Sequence, residues 1–379
     1  LVNYFCALRL DHTERPAARK AWLWLAVGFM LGQLAVFKYT DFAIGTWCDL
    51  TGTPRPETPA LPVLVGISFF TFQSMSYIID VYRRQMPATR SLTDFAFFVS
   101  FFPTLLAGPI LRARTFLPQL QKPLCVTQQM LGTGTWFIII GLFKKCVISD
   151  YISVNFVSRI FDNPALYSGL ENLLGIYGYA LQLYCDFSGY SDMAIGIALW
   201  MGFEIPANFR APYKSDSITD FWRRWHISLM QWFREYVYFP LGGSRCSRLR
   251  QMRNTFVVFV LSGLWHGAAW TFVAWGVFHA CCFVPHILRR SARGTTAVAV
   301  VQGWQGVVRA AIRLARMTGT FALVCIGWVF FRSESLTSAF SHLGRMITDL
   351  HLHTPYGGLS TLYPVIFVVG VEWFTRHRA

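Results

Sequence analysis

The sequence predicts an all-α, polytopic membrane protein. Three observations lead there. Of 379 residues, 54% are hydrophobic and 14% charged, against roughly 25% charged residues in soluble domains. The apolar residues fall in long blocks. The formal net charge is +15, and an excess of Lys and Arg in such a chain first signals cytoplasmic loops that face anionic lipid. No soluble domain with a basic, aromatic face is evident, so nucleic acid is not an expected partner.

Residues 21–36 form the first clear span, preceded by the basic stretch 15–20 and closed by Lys38. Residues 61–79 form the second, closed by Asp80, Arg83 and Arg84. Residues 95–111 are apolar but interrupted by Pro103, Gly108 and Pro109. Such breaks are tolerated in lipid only where protein or a cavity covers the backbone, so a kinked or re-entrant segment is expected. Residues 130–148 give another span, with Lys144 and Lys145 near its end, where lysines can snorkel to the headgroups.

Residues 172–203 are apolar except around Asp186 and Asp192. Two helices meeting at a polar corner are expected there, with Gly189 in the turn and Ser188 or Ser191 as a cap. Residues 255–288 contain no Asp, Glu, Lys or Arg and are too long for one helix across a ~30 Å core. A break is expected at Gly263 to Gly267. Further spans follow over 313–331 and from 362 to 374, for roughly nine or ten membrane segments in all. No internal repeat is visible.

Ser217 to Asp220 reads as a weak capping box that opens a helix. On a helical wheel, residues 221–237 place Phe221, Trp222, Trp225, Leu229, Trp232 and Phe233 on one arc together with His226. Arg223, Arg224, Gln231, Arg234 and Glu235 fall opposite. A cationic helix with a tryptophan-rich face suits the membrane interface. His226 has two readings: a core histidine bonded to a carbonyl, or one that lines an active cavity. Arg223 and Arg224 can contact phosphates, of a donor or of lipid.

His266 lies inside the uncharged run 255–288, where a titratable ring is costly and functional by default. Acyl transfer from a thioester to a hydroxyl needs a proton acceptor beside the attacking oxygen, and a buried imidazole keeps a free nitrogen at neutral pH. Trp265 and Trp270 can wall the site against water. His279 is thirteen residues on, ~20 Å along a continuous helix, and is not expected to share the site. Asp186 and Asp192 are either a polar wall or histidine-orienting partner, or part of a capped helix corner.

The nine cysteines contain no C-x-x-C pair, so neither disulfides nor a zinc site are expected. His351 and His353 read as solvated surface. No G-x-S-x-G, P-loop, G-x-G-x-x-G or H-E-x-x-H motif occurs.

Six motifs recur in order: Gly108-Pro-Ile-Leu-Arg112, Gly141-Leu-Phe-Lys-Lys145, Asp186-Phe-Ser-Gly-Tyr-Ser-Asp192, Asp220-Phe-Trp-Arg-Arg-Trp-His226, Tyr238-Phe-Pro-Leu-Gly-Gly243 and Gly263-Leu-Trp-His-Gly267. As a set they resemble the membrane-bound O-acyltransferase family. Within it they resemble the bacterial branch of alginate O-acetylation proteins, alongside the D-alanyl transfer protein of teichoic acid synthesis. The resemblance implies a ring of tilted helices around a central tunnel, with re-entrant and interfacial helices. It makes residues 1–379 a single domain that lacks the family's first helices and is incomplete after Glu372.

It further implies His266 as the essential histidine and His226 as the second motif position. Trp222, Arg223, Arg224, Trp265, Asp186 and Asp192 make up the expected substrate-binding set. The implied activity passes an acetyl group from a cytoplasmic thioester, acetyl-CoA, across the bacterial inner membrane. The acceptor is an extracellular polysaccharide such as alginate. Membrane lipid and a periplasmic esterase-like protein are the implied partners, with no permanently bound cofactor and no metal.

In the mechanism expected, the donor enters beside the basic loop 245–253. His266 takes the hydroxyl proton, and His226 or a backbone N–H freed by the 263–267 break stabilises the oxyanion. Two other readings remain open: acylation of a lipid or protein, and a transporter or flippase. A transporter would often show two related halves.

Overall fold

The computed structural model describes residues 1–56, 64–289 and 304–349. Among them every regular element is helical, as expected for an all-α membrane protein. The chain forms two compact units. One comprises Leu1–Ile139 with Ser191–Ala207, the other Ile140–Tyr190 with the described residues from Asn208 onward.

In the first unit, α1 (Val2–His12) leads to α2 (Pro16–Leu34), whose first-turn proline gives up an N–H that has no intrahelical partner anyway. α2 continues through the π turn Ala35–Tyr39 into α3 (Thr40–Thr51). The expected span 21–36 therefore lies inside one helix of 36 residues, Pro16–Thr51. α4 (Ile67–Tyr82) follows. Buried Arg19 ties three of these helices together, donating to Leu10 O at 2.6 Å and to Tyr82 O at 2.8 Å. Those carbonyls satisfy a cation that would otherwise be costly to bury.

The expected interruption of 95–111 is present. α5 (Leu92–Val99), capped by Ser91 Oγ accepting from the Asp94 N–H, stops before the one-turn α6 (Phe102–Leu105). α7 (Ala113–Leu120) packs Phe116 on Phe203, ring centroids 5.2 Å apart.

α8 (Gln128–Leu142) runs on through π turns, α9 (Asp150–Ile152) and α10 (Ser158–Asp162). Lys144 does not snorkel: it is buried, 5.7 Å from the ring centre of Tyr184. α11 (Gly169–Trp200) is one unbroken helix of 32 residues, which corrects the expected corner at Gly189. A methyl group on Gly189 would lie 2.7 Å from the Gly141 carbonyl oxygen. The glycine thus admits a neighbouring backbone rather than making a turn, and Ser188 and Ser191 are buried within the helix instead of capping one.

The second unit continues with α12 (Ile218–Arg224), α13 (Ile227–Phe233), α14 (Arg248–His266), α15 (Trp270–Arg289), α16 (Trp304–Arg332) and α17 (Leu336–Thr348). Its core is aromatic, with Trp275, Trp328 and Phe221 almost wholly enclosed. The run 255–288 does break, but at residues 267–269: Gly263 stays inside α14, and only Gly267 of the expected interval 263–267 leaves the helix, after which α15 folds back along α14. The hairpin closes tightly because Gly263 and Gly267 face the backbone and ring of Phe272, leaving no room for a Cβ.

Among the described residues, three helices are long and apolar enough to cross a membrane: Pro16–Thr51, Trp270–Arg289 and Gly306–Arg332. The expected span 362–374, the pair His351 and His353, and the start of the span 61–79 lie outside the described residues.

Candidate active site

His266 is the last residue of α14, and its ring reaches out where the hairpin turns. It packs 4.9 Å from Trp265, 5.3 Å from Trp275 and 5.1 Å from Phe331, centroid to centroid. The His226 ring is 6.2 Å away. Two imidazoles forty positions apart in the sequence thus meet in one aromatic chamber.

His226 does not lie on a continuous amphipathic helix, as the wheel supposed. One bond of the capping box forms, with Ser217 Oγ accepting from the Asp220 N–H at 3.3 Å, while the Asp220 carboxylate pairs with Arg224, and the helix ends at Arg224. His226 is the residue before α13 and has φ 44° and ψ 54°. A left-handed conformation costs a non-glycine residue roughly 1–2 kcal/mol. The strand of chain at 208–210 compensates. Arg210 N–H donates to Arg224 O, Asn208 O accepts from Ile227 N–H, and Asn208 Oδ1 accepts from the Ser228 N–H and hydroxyl at 3.3 and 2.7 Å. These bonds satisfy helix-terminal groups that the break exposes, and they make the turn a built feature.

The His226 side chain is 1% exposed, with Phe187 edge-on at 4.6 Å and Trp265 at 5.8 Å. Neither ring nitrogen has a hydrogen-bond partner among the described residues. The carbonyl-bonded core histidine is therefore not what the structure contains. Burial first, and then the neighbouring His266, hold the His226 pKa well below the usual imidazole value. The ring is neutral, with one nitrogen able to donate and the other to accept.

Trp265 is buried against this pair and touches both histidines, whereas Trp222 is buried one ring further away, packed on Trp275 at 5.5 Å. Trp270, at the start of α15, is 52% exposed. Arg224 is held by Asp220 at 2.9 Å. Asp186 pairs with Lys145 at 2.6 Å, and it is the next residue, Phe187, that meets His226. Asp186 does not orient His226. Asp192 belongs to the first unit, where it is buried. The Gly267 N–H, a candidate oxyanion donor, is committed to Gly263 O at 3.2 Å.

A cavity of about 530 Å³ lies beside the chamber. Arg210, Arg223 and Arg234 line it, with Ser244 just before the basic loop and Gln251 and Thr255 from α14, and no carboxylate among the described residues faces it. Trp222 and Phe259 form its wall on the chamber side, and Trp275 stands between Trp222 and His266. Sequence reasoning named Arg223 and Trp222 but missed Arg210, Arg234 and Asn208. Arg234 was legible as part of the cationic arc; Asn208 carries no motif signal.

Residues 63–326 match the membrane-bound O-acyltransferase family. The chain is 38% identical to the probable alginate O-acetylase of Azotobacter vinelandii, over 99% of this chain and 74% of that protein. It is 36% identical to the peptidoglycan O-acetyltransferase of Helicobacter pylori, over 92% of this chain and 68% of that protein. To the teichoic acid D-alanyltransferase of Bacillus subtilis it is 36% identical, over 60% of each chain.

Proposed function

The chain belongs to the membrane-bound O-acyltransferase family, and from that premise we propose that it moves an acetyl group from acetyl-CoA across the bacterial inner membrane for O-acetylation of an extracellular polysaccharide. The observation that carries the reading is the pairing of His266 with His226 beside a cavity lined by three arginines. A cavity with that lining suits the phosphates of a nucleotide-borne thioester, because guanidinium groups bind phosphate oxygens in charge-assisted pairs.

His266 accepts the proton of the acceptor hydroxyl as its oxygen attacks the thioester carbonyl. The C–O bond forms, the C–S bond breaks, and the imidazolium returns its proton to the departing thiolate. His226, neutral and with an N–H to give, stabilises the oxyanion, a reading supported by the commitment of the Gly267 N–H to Gly263 O. The aromatic wall keeps water from the thioester. A periplasmic esterase-like protein completes delivery to the polymer, and membrane lipid surrounds the helices.

Alginate and peptidoglycan are the acceptors in the names of similar proteins, and a polymer hydroxyl of that class is the acceptor proposed. Similarity to a D-alanyltransferase favours one second reading, transfer of an aminoacyl group by the same histidine. The test is His266→Ala in folded protein in proteoliposomes, with labelled acetyl-CoA inside and the periplasmic partner and polymer outside. Polymer labelling falls to background if His266 is the base; more than a few per cent of wild-type activity rejects that role. Labelling from a D-alanyl thioester but not from acetyl-CoA selects the second reading.

A further inference from the structure

His279 sits where the hairpin brings it, in the partition between the arginine-lined cavity and His266. It is 0% exposed, and both ring nitrogens are buried without a hydrogen-bond partner among the described residues. Trp222 meets it edge-on at 4.9 Å and Phe259 stacks at 6.1 Å, and these two residues are also the cavity wall. On its other side Trp275 lies 5.0 Å from His279 and 5.3 Å from His266. The contacts therefore link the cavity, Trp222, His279, Trp275 and His266 in a line of touching rings, with Trp222 and Trp275 also meeting directly at 5.5 Å.

That line is polar in an unusual way. The indole Nε1 atoms of Trp222 and Trp275 are also buried without partners among the described residues. An unsatisfied buried donor or acceptor forfeits the hydrogen bond it had in water, and folded proteins leave few of them. Four such nitrogens on three touching side chains, aligned between a cavity and a proposed base, suit a guest that is narrow and carries amides. Gly327 makes room for the imidazole itself, since a methyl group there would come within 2.5 Å of His279 Nε2.

We propose that His279 is a donor-positioning residue. One ring nitrogen hydrogen-bonds an amide of the donor's pantetheine arm as the arm passes Trp222 on its way from the cavity to His266. This rests on the thioester-donor reading above. His279 takes no part in proton transfer or bond making. Its work is to replace, in the bound state, the hydrogen bonds that the arm's amide loses on leaving water.

The test is equilibrium binding to the solubilised full chain, with coenzyme A and with adenosine 3′,5′-bisphosphate, which keeps the 3′-phosphate and the inner 5′-phosphate and lacks the arm. His279→Phe preserves an aromatic ring and should weaken coenzyme A about tenfold while leaving the bisphosphate unchanged. His279→Asn, which can still donate and accept, should recover most of the affinity. Equal weakening of both ligands, or none for coenzyme A, overturns the proposal. If His279→Phe does not fold, Trp222→Phe is measured in its place, with the same arm-selective loss expected and an equal or absent loss counting against. Wild-type protein that binds neither ligand defeats the donor reading itself, whereas wild-type binding unaffected by these variants defeats only the role of His279.

Discussion

His266 closes α14 with its ring 6.2 Å from that of His226, and His226 reaches it only because its own backbone is left-handed at φ 44°. One helix end and one helix break, from separate parts of the chain, thus supply the two imidazoles. In a continuous helix through residue 226 the backbone would have the right-handed conformation, and the side chain would leave Cα in another direction.

The backbone at this position makes a prediction about substitution. Asparagine tolerates the left-handed region and valine does not. His226→Asn should stay within about 1 kcal/mol of wild type in thermal unfolding, while His226→Val should lose roughly 2 kcal/mol or more. Both should lose most acetyl transfer. Equal melting temperatures for the two variants would show that the turn is not held as described.

Asn208 holds that turn from outside the motif. Asn208→Ala removes an acceptor shared by the buried Ser228 N–H and hydroxyl, at a cost of about 1–3 kcal/mol. The melting temperature should fall and transfer should fall further, because His226 loses its fixed position. A stable variant with full activity would separate Asn208 from the site.

The hairpin predicts a contrast between glycines. Gly263→Ala places a methyl group on the Phe272 carbonyl and forces α14 and α15 apart at the turn that ends in His266. Overpacking of this kind costs typically 1–3 kcal/mol. Gly28→Ala in α2 meets nothing within 4 Å and should be neutral or stabilising by up to about 1 kcal/mol. Thermal unfolding of the pair checks this, and similar losses in both would mean that helix propensity, not the close approach, governs Gly263.

Much of this was legible in the residues, and the exceptions have physical causes. The break of the run 255–288 could be read because no single helix of that length fits a bilayer core and two glycines mark the site. The same break undid the argument that His279 is remote: distance along a helix says nothing once the helix doubles back. The break at His226 was invisible because residues 221–237 keep a good amphipathic period on both sides of it, and what stops the helix is Asn208, eighteen residues upstream. Gly189 misled in the opposite direction. Between polar residues it reads as a turn, but against the Gly141 backbone it serves helix packing.

Neighbouring arginines should differ. Arg223 is exposed and lines the cavity, whereas Arg224 is tied to Asp220. Arg223→Glu should raise the KM for acetyl-CoA about tenfold or more at low salt, with a smaller effect at high salt as charge is screened. Arg224→Gln breaks a half-exposed ion pair worth at most about 1 kcal/mol and should leave that KM within a factor of two. Steady-state kinetics at two ionic strengths decides, and equal effects of the two variants would remove Arg223 from the donor site.

The buried histidines predict the pH dependence of stability. Burial and then His266 hold His226 well below its ordinary value of 6.5, and burial on α17 pushes His342 down to about 4. Above about pH 6.5 both rings are neutral whether the chain is folded or not, so their contribution is fully present. Below it the unfolded chain binds protons that the folded chain refuses, and stability falls as pH drops. The melting temperature should therefore decline from pH 7 to pH 5, a range in which most carboxylates stay ionised. His226→Asn should flatten part of that decline, and the remainder belongs in part to His342. If the variant and wild type trace parallel curves, the imidazole of His226 is not kept neutral by the fold, and a hydrogen-bond donor with a fixed charge state can no longer be assigned to it.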